Sequence, residues 1–258
     1  MFIKWNYIAI HSIIIGNAAF NDPFYGWIDN EQIYFADRNT GIRRIGVNER
    51  NLALSTSDAK YDYFVQNNRL EYYGNPWQYG AMNACFAKAD GLWYWGKTYG
   101  GGGIFRFAES DISPVDISRG TNPPYATIFP DEFVKSFVID ATNQILYAVI
   151  RDKGLYAVPL TDITANDATK TNTKAESKYL VASFKSDSEG SVGEYVDVCQ
   201  MVLDSSDGSV YFGLRAEEGS SETSGVKRWN PTTKKLETIV SGVNVYGIAL
   251  NNELSNLF

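Results

Sequence analysis

A basic residue ends each of four similar six-residue segments, and these cations are the most regularly repeated chemical groups in the sequence. The segments are IYFADR, LWYWGK, LYAVIR and VYFGLR, ending at Arg38, Lys97, Arg151 and Arg215. If symmetry relates the repeats, the cations converge on one mouth, where low-dielectric walls would focus their field on an anionic or carbonyl-bearing ligand. The alternative is that each cation pairs with a nearby acid such as Asp37, Asp152 or Glu217.

Aromatic side chains are the second group that could contact a ligand. They are Trp93, Trp95, Tyr99, Phe212 and Trp229. Such rings can form stacking walls for a flat amine or a sugar. Because large rings also fill the space between packed sheets, core packing is the alternative interpretation of the same residues.

The composition excludes several kinds of chemistry. The chain has 258 residues and a single histidine, His11, which argues against Ser-His-Asp catalysis and histidine-ligated metal sites. Its 23 basic and 30 acidic residues give a net charge of -7, so nucleic acid is not an expected partner. Carboxylate pairs such as Asp22 and Asp29 stay open for acid-base work, which can use two carboxylates alone.

The elements that would position these groups repeat along the chain. A second strand that opens on glycine follows each basic-ended segment. These glycines are Gly41, Gly103, Gly154 and Gly225. A preceding strand ends at a turn aspartate, most clearly at Asp140 and Asp204, and a more polar fourth strand is predicted in DYFVQNNRLEYYG, KYLVASFK and KLETIVSG. Four strands per repeat, with no helical period, predict an all-β chain folded as a β-propeller with four-stranded antiparallel blades.

The repeat spacing constrains the number of blades. The similar segments start at residues 33, 92, 146 and 210, so 258 residues hold between four and five repeats. We therefore expect five blades or an incomplete six-bladed propeller, with VYGIALNNELSNLF from Val245 as the inner strand of another blade. Cys85 and Cys199 fall on equivalent inner strands two blades apart, beyond the Cα separation of about 7 Å that a disulfide allows, so both are predicted to be free, buried thiols.

The first twenty residues have the order of a secretory signal. Lys4 precedes an apolar stretch from Tyr7 to Ile15, and small residues follow at Ala18 and Ala19. A pair of ordinary β-strands is the alternative, since Tyr, Ile and Trp also favour strands. We expect a signal segment at 1–20 and a single propeller domain at 21–258 in a secreted protein. No other stretch approaches the ~20 apolar residues of a membrane span, so no span is expected.

The later repeats share short sequence motifs with a known family. Between Val134 and Asn230 the chain reads SFVID, then LYAVIRDKGLYAV, then GSVYFGL, and closes with Trp229 and Asn230. This order resembles the later blades of the yellow and major royal jelly protein family, which are six-bladed propellers. Some of its members bind biogenic amines at one mouth. The resemblance implies that Phe212, Trp229 and Asn230 contact a ligand.

A second resemblance implies a different activity. DPFYGWIDNEQIYFADRNTGIRRI, which starts at Asp22, and VYGIALNNELSNLF are similar to the senescence-marker-protein-30 and strictosidine-synthase-like propellers. In the lactonases of that group an acidic residue before the first inner strand binds a divalent metal, and Asp22 or Asp29 would take that place here. The implied function is a hydrolase that depends on Ca²⁺ or another divalent metal.

We therefore expect a secreted propeller without catalysis of its own, which binds a small aromatic or polar ligand, such as a biogenic amine, at its mouth and needs no cofactor. The alternatives are the metal-dependent hydrolase and a platform for a protein partner. Oxygen ligands converging with Asp22 or Asp29 at about 2.3–2.6 Å from one point would favour the hydrolase. An aromatic-lined mouth would favour the ligand binder, and a flat mouth would favour the platform.

Overall fold

A computed structural model describes residues 23–37, 41–48, 61–66, 86–97, 103–111, 126–130, 132–151, 153–163, 173–183, 196–216, 224–245 and 247–250. Their strands form four separate four-stranded sheets, called sheets A to D in chain order. Sheet A contains β1 (Pro23–Asp29), β2 (Gln32–Asp37), β3 (Gly41–Gly46) and β4 (Tyr61–Gln66). Sheet B contains β5 (Phe86–Ala89), β6 (Leu92–Lys97), β7 (Gly103–Ala108) and β8 (Ala126–Ile128). Sheet C contains β9 (Val134–Asp140), β10 (Ile145–Ile150), β11 (Gly154–Pro159) and β12 (Leu180–Ser183). Sheet D contains β13 (Val196–Leu203), β14 (Val210–Ala216), β15 (Gly225–Asn230) and β16 (Lys235–Ser241).

Every sheet is an antiparallel meander in which sequence neighbours pair. In the described ranges, helical structure is limited to three short 3₁₀ segments, Glu109–Asp111, Leu160–Asp162 and Ser177–Tyr179. Within those ranges no helix has the length and apolar character needed to cross a membrane. The prediction of an all-β propeller with four-stranded antiparallel blades is confirmed.

The predicted strands lie close to the observed ones. Each third strand begins at its predicted glycine, and the three predicted polar strands correspond to β4, β12 and β16. The outer strand β8 has no predicted counterpart, because three residues are too few to show an alternating pattern.

The pairing register corrects one part of the repeat alignment. In sheets A, C and D the first glycine of the third strand pairs with the fifth residue of the aligned segment. These fifth residues are Asp37, Ile150 and Leu214. In sheet B, Gly103 pairs with Lys97, the sixth residue. The prediction that Lys97 is equivalent to Arg151 and Arg215 is therefore wrong by one residue, and a shift of one residue turns a side chain to the other face of its strand. Arg38 lies outside the described residues.

The sheets stack in chain order through apolar side chains that alternate along the strands. In β10, Leu146 and Ala148 belong to a buried cluster shared with sheet B, whereas Tyr147 and Val149 belong to one shared with sheet D. The inner strand β9 likewise packs against β5 on one side and β13 on the other. A blade in the middle of the stack is therefore buried on both faces.

Each blade has two ends, which are defined by the direction of its strands and are here called upper and lower. At the upper end the inner strands begin and the second strands end; at the lower end a turn joins each inner strand to the second strand. The lower turns of sheets A and B have two residues, Asn30-Glu31 and Asp90-Gly91, all with positive φ between 46° and 75°. This is the type I′ geometry, which favours Asn, Asp and Gly and matches the twist of the flanking strands.

The chain after sheet D returns across that sheet. Residues 244–245 and 247–250 are not in a strand, so the predicted inner strand is not formed in this described part. The Val245 N–H donates to the Leu214 carbonyl at 3.1 Å, and a Cβ on Gly213 would lie 2.5 Å from Cγ1 of Val245. The segment therefore lies directly on β14, over its glycine.

Several predictions fall outside the described residues. They concern the signal segment 1–20, Asp22, Arg38, Cys85 and Tyr99. The backbone of Cys199 lies in β13, but its side chain is not described, so the free thiols stay a prediction.

Candidate functional site

The predicted ligand contacts divide between the two ends of the blades. Arg151 follows β10 directly and Arg215 is the next-to-last residue of β14, so both lie at the upper end. Trp229 and Asn230 close β15 at the lower end, where Trp229 pairs with Val210. At about 3.3 Å per residue, the five residues from Val210 to Arg215 separate the two groups by ~16 Å. One small ligand cannot contact both.

Asn230 has a local structural task at the lower end. Its Oδ1 accepts the backbone N–H groups of Thr232 at 2.9 Å and Thr233 at 3.1 Å. These bonds satisfy the turn that joins β15 to β16, in the manner typical of asparagine in turns.

Four of the five aromatic residues that were predicted to contact a ligand are described, and all four are core residues. Trp93 and Phe212 expose 0% of their surface, Trp95 exposes 1% and Trp229 exposes 6%. Phe212 and Trp229 belong to the buried cluster between sheets C and D. The packing interpretation holds for the geometry of these four rings, since a ligand could reach them only if the sheets separated.

Backbone and ion-pair contacts hold the upper end between sheets B and C. Lys153 forms an ion pair with Glu132, whose carbonyl accepts the Gly103 N–H at 3.3 Å. The Arg151 N–H donates to the Phe133 carbonyl at 2.8 Å. The side chain of Arg151 is half-buried, as is that of Arg215, and both are engaged in interactions. The strand ends that carry these arginines are thus firmly placed.

A group of polar and aromatic side chains, here called the A–B cluster, joins sheets A and B. It comprises Asp29, Tyr34, Arg44, Lys88, Trp93 and Glu109. Lys88 Nζ lies 2.6 Å from Asp29 Oδ2 and 3.7 Å from Glu109 Oε2. Glu109 also accepts the Trp93 indole N–H at 3.2 Å and lies 3.6 Å from Arg44. Opposite charges therefore neutralise one another across the contact between the two blades.

Aromatic rings pack against the charged part of the A–B cluster. The Tyr34 and Trp93 ring centroids are 4.7 Å apart, and Lys88 Nζ lies 5.1 Å from the Trp93 centroid. Burial and then the Glu109 carboxylate raise the pKa of Tyr34, and the hydrogen bond to Asp29 raises the pKa of Lys88. Tyr34 therefore stays neutral and Lys88 stays charged at neutral pH. This chemistry suits a clamp between blades, since neither group is poised to exchange a proton.

The predicted metal ligands are only partly described. The Asp29 carboxylate is bound to the Lys88 ammonium, so a metal at this oxygen would have to displace Lys88. Within the described part of the chain, no three His, Cys, Asp or Glu side chains gather in a way that could hold a metal ion.

A tyrosine and an arginine recur at paired positions, and the segment alignment leaves this feature out. The tyrosines at equivalent register positions are Tyr34, Tyr94, Tyr147 and Tyr211. In three sheets an arginine lies opposite on the third strand. These arginines are Arg44, Arg106 and Arg228, and sheet C has Ala157 instead. The signal is readable in GIRR, GIFR and GVKR, where arginine follows the opening glycine by three residues.

We expect Asp29→Asn to lower the free energy of unfolding by about 1 kcal/mol, because it removes the partner of a half-buried ammonium. Glu176→Gln is the matched control, since the Glu176–Lys178 pair is more than half exposed, and it should cost clearly less than Asp29→Asn. Urea unfolding of both variants measures the difference, and equal losses would contradict the clamp.

The same pair predicts an alkaline dependence of stability. Since Asp29 raises the pKa of Lys88 in the folded state, its contribution is complete below the unfolded value of about 10.4 and is lost as the pH rises through the folded value. The Asp29→Asn variant should lose less stability than the native chain over that alkaline range.

Comparisons with known proteins find the fold and no family. No protein-family model and no curated protein matches the chain. In solved structures, 88% of the chain aligns with 26% of the extracellular domain of a B. thetaiotaomicron protein described as a hybrid two-component system, at a TM-score of 0.51 and 12% identity. A Bacteroides uniformis protein described as a 6-phosphogluconolactonase aligns over 91% of this chain and 62% of its own, at a TM-score of 0.50 and 11% identity.

These likenesses are structural. The chain spans 26% and 62% of the length of the two neighbours, and at 11–12% identity the similarity concerns the fold alone. The resemblance to the yellow and major royal jelly proteins stays a prediction. The neighbours and the four antiparallel sheets agree that this chain has the β-propeller fold.

Proposed function

We propose that this chain is a secreted, non-catalytic β-propeller that binds a small ligand at the upper end of its blades. The register equivalence of Arg151 and Arg215 carries the proposal. Each directly follows the residue that pairs with the first glycine of its third strand, on the neighbouring sheets C and D. Planar guanidinium groups at matching positions suit a ligand that bears a carboxylate, phosphate or carbonyl group.

The surroundings of Asp29, Glu132 and Asp140 favour binding over catalysis. Asp29 and Glu132 are bound to lysines, and the buried Asp140 accepts the Asn143 backbone N–H at 2.9 Å and its side-chain amide at 2.7 Å. A carboxylate engaged in this way is not available as a general base. Secretion is supported by the charged, apolar, small-residue order of residues 1–20 and by the fold shared with an extracellular domain.

A thermal-shift comparison tests the site. The probes are citrate, glucose 6-phosphate, dopamine and Ca²⁺, and a ligand at a hundred times its Kd stabilises a protein by about 2.7 kcal/mol. We expect an acidic probe to raise the Tm of the native chain and to have no effect on the Arg151→Ala/Arg215→Ala variant. The control is Lys234→Ala/Lys235→Ala, which removes the same charge at the exposed lower end and should retain the shift. Equal shifts in both variants would place the ligand elsewhere.

The hydrolase is the alternative, and the fold shared with a protein described as a 6-phosphogluconolactonase keeps it in the test. Stabilisation by Ca²⁺ that disappears in Asp29→Ala would favour it over ligand binding. A chain that none of the probes stabilises would favour the protein-interaction platform.

A further inference from the structure

The outer strand of sheet D is exposed along most of its length. In β16, Ile239 exposes 50% of its surface and Val240 exposes 42%, and the adjacent Val243 exposes 49%. From Thr238 to Val243 the sequence TIVSGV contains no charged residue and no proline. Charge, proline and short length are the features that usually keep an edge strand from pairing with another chain. The second half of this strand has neither charge nor proline, and its one irregularity is the register shift at Ile239 opposite β15.

The outer strands of sheets B and C are different. On sheet B the chain covers the edge itself, because Thr173 forms a parallel bridge to Ile128 of β8. The Phe129 N–H donates to the Thr173 carbonyl at 2.6 Å, and the Thr173 N–H donates to the Thr127 carbonyl at 3.1 Å. On sheet C, β12 has only four residues. Of the residues that the structure describes, none pairs in this way with the outer edge of β16, which has seven residues.

We propose that β16 is a self-association edge, to which β16 of a second copy of this chain adds in antiparallel orientation about a two-fold axis. An unpaired strand offers a row of backbone donors and acceptors, and an identical antiparallel strand satisfies both rows at once. A two-fold axis also makes the contact closed, so that association stops at two chains.

The charges of β16 select the antiparallel orientation. In a register that sets Ile239 opposite Ile239 of the partner subunit, Glu237 lies opposite Ser241 of the partner subunit and Lys235 lies opposite Val243 of the partner subunit. No like charges meet. A parallel, in-register pair would instead set Lys235 against Lys235 and Glu237 against Glu237, and like charges directly opposite each other are destabilising.

Sedimentation equilibrium of the purified full chain tests the proposal. We expect a monomer–dimer equilibrium in the native chain. Dimerisation should be at least about tenfold weaker in Ile239→Lys/Val240→Lys, which introduces charge on both faces of the edge strand. The control is Thr232→Lys/Thr233→Lys, which adds the same charge to the exposed β15–β16 turn and should dimerise like the native chain. A native chain that stays monomeric at all concentrations, or a β16 variant that dimerises as tightly as the control, would overturn the proposal.

Hydrogen exchange at low and high protein concentration identifies the surface involved. Concentration-dependent amide protection should be confined to residues 237–241, because edge pairing satisfies backbone groups there. Dimerisation without added protection in these residues would mean that another surface makes the contact, and the proposal would be wrong.

Discussion

Replacing Gly225 by alanine should lower the free energy of unfolding by about 3 kcal/mol, since backbone strain and overpacking each cost about 1–3 kcal/mol. Gly225 opens β15 at a φ of +139°, which L side chains rarely adopt. A Cβ there would lie 2.0 Å from the carbonyl oxygen of Val240 and 2.8 Å from its carbonyl carbon. Because these are backbone atoms, they cannot rotate away, and β15 and β16 must separate.

Gly91→Ala is the matched control. Gly91 also has a positive φ, +75°, but a Cβ there meets nothing within 4 Å. Only the left-handed backbone is penalised, at about 1–2 kcal/mol. Urea unfolding followed by tryptophan fluorescence separates the two effects. If both variants lose the same stability, the close approach of β15 and β16 does not constrain this position.

The same close approach explains why glycine recurs in the sequence. A Cβ on Gly103 would lie 2.3 Å from the Ile128 carbonyl oxygen, and one on Gly154 would lie 2.1 Å from the Ala182 carbonyl oxygen. In each case the third strand begins where the fourth strand passes. The blades were therefore predictable, because in sheets B, C and D a local steric requirement places glycine at the start of the third strand, and alternating apolar residues follow it.

The register of sheet B was not predictable in the same way. LWYWGK has four large apolar residues in succession, so it can be aligned with either phase of the other segments. Only its pairing with β7, which sets Lys97 opposite Gly103, decides the phase. A gap-free alignment of short segments therefore finds the strand and misplaces its residues by one position in the repeat.

The predicted ligand contacts are divided between the upper and lower ends of the blades for a simpler reason, the direction of the strands. Arg215 is the next-to-last residue of the second strand of sheet D and Trp229 the next-to-last residue of the third, and antiparallel neighbours end at opposite ends of a sheet. Strand direction was thus enough to separate them, although both lie in the same family-like stretch. The A–B cluster was beyond sequence reasoning, since Asp29 and Lys88 are 59 residues apart and meet only when two blades stack.

Phe212→Ala should lower the free energy of unfolding by about 4 kcal/mol, a large share of the 5–15 kcal/mol that stabilises a typical domain. The ring is wholly buried between sheets C and D, in the same cluster as Tyr147 and Val149. Truncation removes apolar contacts and leaves a cavity that the two packed sheets cannot close easily. Phe133→Ala is the control, because that ring is 39% exposed, and its cost should be about 1 kcal/mol or less.

A second substitution at Phe212 separates core packing from ligand contact. Phe212→Leu keeps most of the apolar volume and should cost less than about 1.5 kcal/mol if the ring only fills the core. Urea unfolding of the three variants, combined with the acidic probe that stabilises the native chain, gives two independent readings. If Phe212 only fills the core, Phe212→Ala loses more stability than Phe212→Leu. The probe-induced shift in the Tm of Phe212→Leu then equals that of the native chain. A Phe212→Ala variant with native stability and no probe-induced shift would instead show that the ring contacts the ligand, and that sheets C and D open to admit it.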